Sequence, residues 1–110
     1  MPLSEKTRIE VYIPDLPIES YQNLIDAFEQ EFTHSFGGCS IIRGIDGSYL
    51  SSVGHHTRDR VNLVYSDMSI RFHDNLAAIS QYSDEVRNAA NQALEEESIL
   101  VVCFPVFHSE

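Results

Sequence analysis

Between residues 7 and 13 apolar and polar positions alternate: Ile9, Val11 and Ile13 point one way, Arg8, Glu10 and Tyr12 the other. A period of two marks a half-buried strand, and Pro14, which cannot donate to a ladder, predicts its end. The period then changes. Tyr21, Leu24, Ile25, Phe28 and Phe32 recur at helical spacing, while Gln22, Asp26, Glu29 and Glu31 fall elsewhere on the wheel. Pro17 suits a first helical turn, Asp15 and Glu19 suit its positive end, and Gly37-Gly38 supplies a stop. The pattern predicts a helix over 17–35. Cys39 to Ile45 reads as a second strand and Asp46-Gly47 as a turn signal, with Ser48 to Ser52 able to extend the ribbon past that turn or bulge. Gly54 to Thr57 reads as loop. Arg60 to Ser66 is a third strand, with Val61, Leu63 and Tyr65 on one side. A second amphipathic helix falls between Phe72 and Glu97, its stripe made by Leu76, Ile79, Val86, Ala90, Ala93 and Leu94. Ser83-Asp84-Glu85 could open a new helix, which allows a break near Tyr82. Ile99 to Phe104 forms the last strand, and Pro105 suits an edge position.

The order strand, helix, strand, strand, helix, strand is the split βαβ plan, an α+β ferredoxin-like βαββαβ fold. It has a four-stranded antiparallel sheet with two helices on one face. Right-handed crossovers put strands 1 and 3 in the centre and strands 2 and 4 at the edges. The 110 residues fit one domain spanning 1–110. One strand departs from the plan. The last is apolar on both sides, Ile99, Val101 and Cys103 against Leu100, Val102 and Phe104, whereas a half-exposed strand should alternate. Tyr12 and Val64 add to the open face. A bare patch of this kind marks an interface, so a homo-oligomer is expected. Otherwise the C-terminal residues or the Ser48–Thr57 loop must fold over that face.

Seventeen acids stand against seven bases, a net charge of -10. That opposes nucleic-acid binding, which needs a basic face, and opposes attachment to an anionic membrane. The N-terminus has no apolar signal-like segment, and the longest apolar run, Ile99 to Phe107, is too short to span a bilayer. A cytoplasmic protein is expected, with Cys39 and Cys103 reduced and serving as buried fillers.

Against this acidity, Arg43 to Arg60 stands out. It carries Arg43, Arg58 and Arg60, the pair His55-His56, and only two acids, Asp46 and Asp59. Loops between strands of a rigid scaffold commonly carry function. Arg43, Tyr49, His55, His56, Arg58 and Arg60 are therefore the candidate ligand- or anion-binding residues. The competing reading is a solvated turn whose arginines pair with acids of the helices. His34, His73 and His108 have no ligand spacing and neither cysteine stands near a histidine, so no metal or cofactor is expected; His34 suits a helix C-terminus. Pro2 could act as an N-terminal general base in the manner of the tautomerases, but Ser4-Glu5-Lys6 separate it from the first strand. No phosphate-cradling glycine motif or nucleophile elbow is present, and no catalytic residue is assigned.

Phe36-Gly37-Gly38-Cys39-Ser40, followed by Gly44 and then Gly47-Ser48-Tyr49, resembles a pattern in small uncharacterised bacterial proteins of ferredoxin-like plan, in which FGG-x-[ST] leads from the first helix into the second strand. Glu97-Ser98-Ile99-Leu100 resembles their approach to the last strand. That resemblance implies a fold and leaves the activity open. The plan is also similar to that of the PII signalling proteins, which touch partners through a long loop between strands 2 and 3. Here the loop is shorter, and the PII nucleotide-binding residues have no counterpart. Two functions follow as expectations. One is a non-enzymatic oligomeric module that binds a small anionic ligand or a protein partner through the 46–60 loop. The other is a small dimeric α+β-barrel enzyme with a pocket between helices and sheet, using His55 or His56, Tyr49 and Arg58.

Overall fold

A computed structural model describes residues 2–50, 53–95 and 99–110. The elements are β1 (Leu3–Pro14), α1 (Glu19–Phe36), β2 (Ser40–Leu50), β3 (His56–Met68), a 3₁₀ turn (His73–Asn75), α2 (Leu76–Leu94) and β4 (Leu100–Ser109). They form one four-stranded antiparallel sheet in the order β2-β3-β1-β4, the ferredoxin-like arrangement. The central and edge strands are those the connection rules require.

The apolar stripe of α1 is buried at all five predicted positions, Tyr21, Leu24, Ile25, Phe28 and Phe32. Phe28 and Phe32 stack at 5.6 Å. The helix stops because Gly37 adopts φ 86° and its N–H bonds to the Thr33 carbonyl at 2.9 Å. Few residues other than glycine take that conformation cheaply. In α2, Ile79, Val86, Ala90 and Leu94 are buried, whereas Leu76 and Ala93 lie exposed at the margin of the stripe. The helix runs unbroken through Tyr82 and Ser83. Ser83 does not cap a new helix; its hydroxyl bonds back to the Ser80 carbonyl at 3.0 Å. Tyr82 packs edge-on against Phe36 at 5.5 Å, and its hydroxyl donates to Glu31 at 3.2 Å.

The strands are longer than their side-chain alternation suggests. β1 begins at Leu3, and β4 continues past Phe104 to Ser109, because Leu3 to Lys6 pair with Ser109 to Val106. Backbone ladders need no apolar alternation. Asp46-Gly47 is not a turn. Both residues lie within β2, opposite Arg60 and Asp59, and β3 starts at His56. The irregularity lies earlier, in a bulge between Ile42 and Ile45. The predicted continuation through Ser51 and Ser52, and the Glu97-Ser98 segment, lie outside the described residues.

Both helices pack on one face of the sheet. Ile9, Val11, Ile13 and Val64 meet Ile25, Phe28, Phe32, Val86 and Ala90 there, with Val101 and Cys103 at the margin. Val64 therefore belongs to the core and not to the open face, where the two-sided reading of the strands had put it. Register assigns Tyr12, Leu63, Ile42, Leu100, Val102 and Phe104 to the opposite face. The residues after Phe104 stay in the plane of the sheet, and Ser48 to Leu50 pair with His56 to Arg58, so neither of these described stretches folds over that face. Cys39 and Cys103 are free, half-buried and on opposite sides of the sheet order, and burial raises both thiols. Among the described residues no helix is long and apolar enough to cross a membrane.

Candidate functional site

β1 ends at Pro14, opposite Val61. Beyond that row β2 and β3 pair only with each other, through five rows from Asp46–Arg60 to Leu50–His56. At ~3.4 Å per residue this two-stranded ribbon projects roughly 15 Å beyond the sheet body. It accounts for part of the elongated outline, 46 × 29 × 25 Å.

The base of the ribbon is built around Asn62, a buried amide. Its Oδ1 accepts the Gly44 N–H at 3.0 Å and its Nδ2 donates to Asp15 Oδ1 at 3.3 Å. One side chain thus satisfies the bulge of β2 and ties it to the β1–α1 turn. The Asp15 N–H bonds to the Arg60 carbonyl at 2.8 Å, completing the junction. Gly44 sits at φ 70°, and a Cβ there would lie 2.5 Å from Arg60 Nη2, so the guanidinium lies against the bare glycine. Arg60 Nε is 3.6 Å from Asp46 Oδ1 and 4.0 Å from Asp15 Oδ2.

Around this junction opens a groove of about 740 Å³, lined by Asp15, Asp46, Gly47, Ser48, Asp59 and Arg60. The local excess of bases along residues 43–60 does not survive folding here. Two carboxylates, Asp15 and Asp46, stand near the one guanidinium, and a third, Asp59, accepts the Arg60 backbone N–H at 2.9 Å; Asp15 arrives from a turn distant in sequence. Arg43 points elsewhere, donating to Gln22 of α1 at 3.2 Å. His55 and His56 are exposed near the end of the ribbon, with His56 opposite Leu50. Tyr49 pairs with Thr57, and Arg58 with Ser48, through the backbone; the side chains of Tyr49 and Arg58 lie outside the described residues. Of the candidates whose side chains are described, only Arg60 lines the groove. Asp15 and Asn62 escaped the sequence because neither has a motif; only the register joins them to Gly44 and Arg60.

A second polar cluster lies on the open face. Asp67 accepts two bonds from Arg8, at 2.7 and 3.0 Å, and its Oδ2 lies 2.7 Å from His108 Nε2. The Arg8 guanidinium also stands over the Tyr65 ring at 4.6 Å. The bonds from Arg8, followed by that to His108, hold the Asp67 carboxyl below the usual carboxylate range despite its burial. Among the described residues no group of three or more His, Cys, Asp or Glu side chains forms a metal-ligand set.

No protein-family model and no curated protein matches the chain. Solved structures do. The divalent cation tolerance protein CutA1 from Thermus thermophilus aligns over 96% of this chain and 87% of its own, at 12% identity and TM-score 0.61. A phage SAM lyase in complex with S-methyl-5'-thioadenosine aligns over 96% and 90%, at 8% identity and TM-score 0.58. CutA1 from Oryza sativa aligns over 98% and 85%, at 15% identity and TM-score 0.55. At such identities the shared property is the fold: the chain has the ferredoxin-like α+β architecture of these proteins, carried on a different sequence.

Proposed function

We propose that this chain is a small, non-enzymatic, oligomeric binding module that meets a ligand or protein partner through the β2–β3 ribbon. The observation that carries this reading is the five-row ribbon projecting beyond the sheet body, with an open polar groove at its base. An element of this shape presents side chains and backbone to a partner and encloses nothing. The layer between helices and sheet, where an enzyme of this plan would hold its pocket, is filled by Ile9, Ile13, Phe32 and Val64. Arg60 is 63% exposed and shared loosely between two carboxylates. Exposed pairs of that kind hold it by about 1 kcal/mol or less, so its guanidinium stays available to the acceptor groups of a partner.

A second reading, a small enzyme, has one observation behind it: the phage SAM lyase, an enzyme by its name, shares the fold. Fold alone does not transmit function, and none of the candidate residues lines an enclosed cavity among the described residues.

The test is a panel of phosphorylated metabolites, nucleotides and carboxylates titrated against wild type and Arg58→Ala/Arg60→Ala, at low and moderate salt. Binding that weakens with salt and disappears in the double variant, with the melting temperature unmoved, is the expected result. Equal binding by both proteins, or turnover of any compound in the panel, overturns the reading.

A further inference from the structure

We infer that the open face of the sheet is covered by a second copy of this chain. This gives the oligomeric part of the reading above a surface, and rests on that part. The first observation is chemical. Tyr12, Val102 and Phe104 lie half-buried across this face around a buried Leu63, flanked by Ile42 at 46% exposure and Leu100 at 54%. A sheet face turned to water carries polar residues at alternate positions, and β4 does not. No described segment of the chain lies over it.

The second observation is electrostatic and identifies the occupant. The chain carries a net charge of -10. The body of the open face instead presents two cations, Lys6 and Arg8, and two anions, Glu10 and Asp67, whose formal charges cancel, with the His108 ring beside Asp67. Arg8 and Asp67 are satisfied by each other at 2.7 Å, and Glu10 accepts the Tyr12 hydroxyl at 2.7 Å. A strongly basic or acidic partner would find little unspent charge to recognise. Two copies, each strongly acidic, repel over most approaches, and this neutral face is where they can meet with least repulsion.

The third observation is size. Four strands ~4.8 Å apart, and about eight residues at ~3.3 Å, give a face on the order of 500 Å². Two such faces bury about 1,000 Å², the lower bound for a specific interface. The face is therefore sufficient for a copy of itself, without help from the helices.

The experiment measures the mass of the full chain by sedimentation over a hundredfold concentration range, with circular dichroism and melting recorded for every variant. Wild type should sediment at a multiple of the 12.5 kDa chain. Leu100→Glu and Ile42→Glu alter positions already exposed in the single chain, so they should leave its melting unchanged. Each should raise the dissociation constant roughly 100-fold, because an unpaired carboxylate resists burial. Lys6→Glu makes the face acidic and should dissociate the assembly at low salt and restore it at higher salt. Wild-type association should tighten with salt, which screens repulsion between the acidic remainders. A monomeric wild type overturns the oligomeric reading and this inference with it. An oligomer that survives both glutamate substitutions, with the fold intact, overturns the face alone and leaves the oligomeric reading standing. Wild-type association that loosens with salt overturns the electrostatic choice of occupant.

Discussion

Gly44→Ala tests the junction from which the ribbon springs. Gly44 holds φ 70°, in the left-handed region, where a β-carbon crowds the backbone at a cost of about 1–2 kcal/mol. The added methyl would also lie 2.5 Å from Arg60 Nη2. That atom is the tip of a flexible, mostly exposed side chain and can swing aside, so the backbone strain should dominate. Gly47→Ala is the matched control, three residues along the same strand. Its β-carbon would meet only the Asp59 carbonyl oxygen at 3.8 Å, an ordinary contact, and its φ is not left-handed. There the substitution should be neutral or slightly stabilising, since alanine restricts the unfolded chain. For a domain of this size about 1 kcal/mol moves the melting temperature by roughly 5 °C, so Gly44→Ala should melt about 5–10 °C below wild type and Gly47→Ala within a few degrees of it. Thermal and urea unfolding measure both. Adding Arg60→Ala to Gly44→Ala separates the two causes. If strain dominates, the coupling between the substitutions stays below about 0.5 kcal/mol. Equal melting of the two alanine variants would refute the bulge geometry. Full rescue by Arg60→Ala would show that the clash, and not the backbone, sets the cost.

Phe28→Ala should destabilise the fold by about 3–5 kcal/mol, because it empties the centre of the buried α1 stripe; unchanged melting would refute the packing. Asp67 gives a pH signature. Its carboxyl is depressed, chiefly by Arg8, so its contribution is fully present above the unfolded value of about 3.9 and is lost as pH falls through the lower folded value. The stability gap between wild type and Asp67→Asn should therefore be constant at neutral pH and shrink below about pH 4; a gap that widens in acid would contradict the pairing. Cys39 and Cys103, with thiols raised by burial, should both appear free in unreduced mass spectra and react slowly with alkylating reagent until the protein is unfolded. A mass lighter by two hydrogen atoms would show a bridge between them and overturn the sheet order.

The candidate residues were legible in kind but not in arrangement. Arg60 was identified by its place in a base-rich stretch, yet that stretch folds so that Asp15 and Asp46 flank it. Linear charge density describes a loop only if no other segment approaches it, and here the β1–α1 turn does. Arg43, in the same base-rich stretch, lies within the bulge and bonds to Gln22 instead. The Arg8–Asp67–His108 cluster joins three strands and has no local spacing by which it could be found.

Local periodicity determined most of the architecture. The change from a two-residue to a helical period at α1, the glycine that ends it and the order of six elements are properties of neighbouring residues, and sterics then restrict the connections to one sheet order. Local reading failed where pairing energy overrides side-chain pattern. β1 and β4 lengthen by pairing with each other, Asp46-Gly47 is absorbed into a ladder, and α2 runs through a plausible capping serine. Which face is open, and what its charges sum to, were decided only by register. A strand shows its two faces to the sequence equally; packing against the helices alone distinguishes the side holding Val64 from the side holding Leu63.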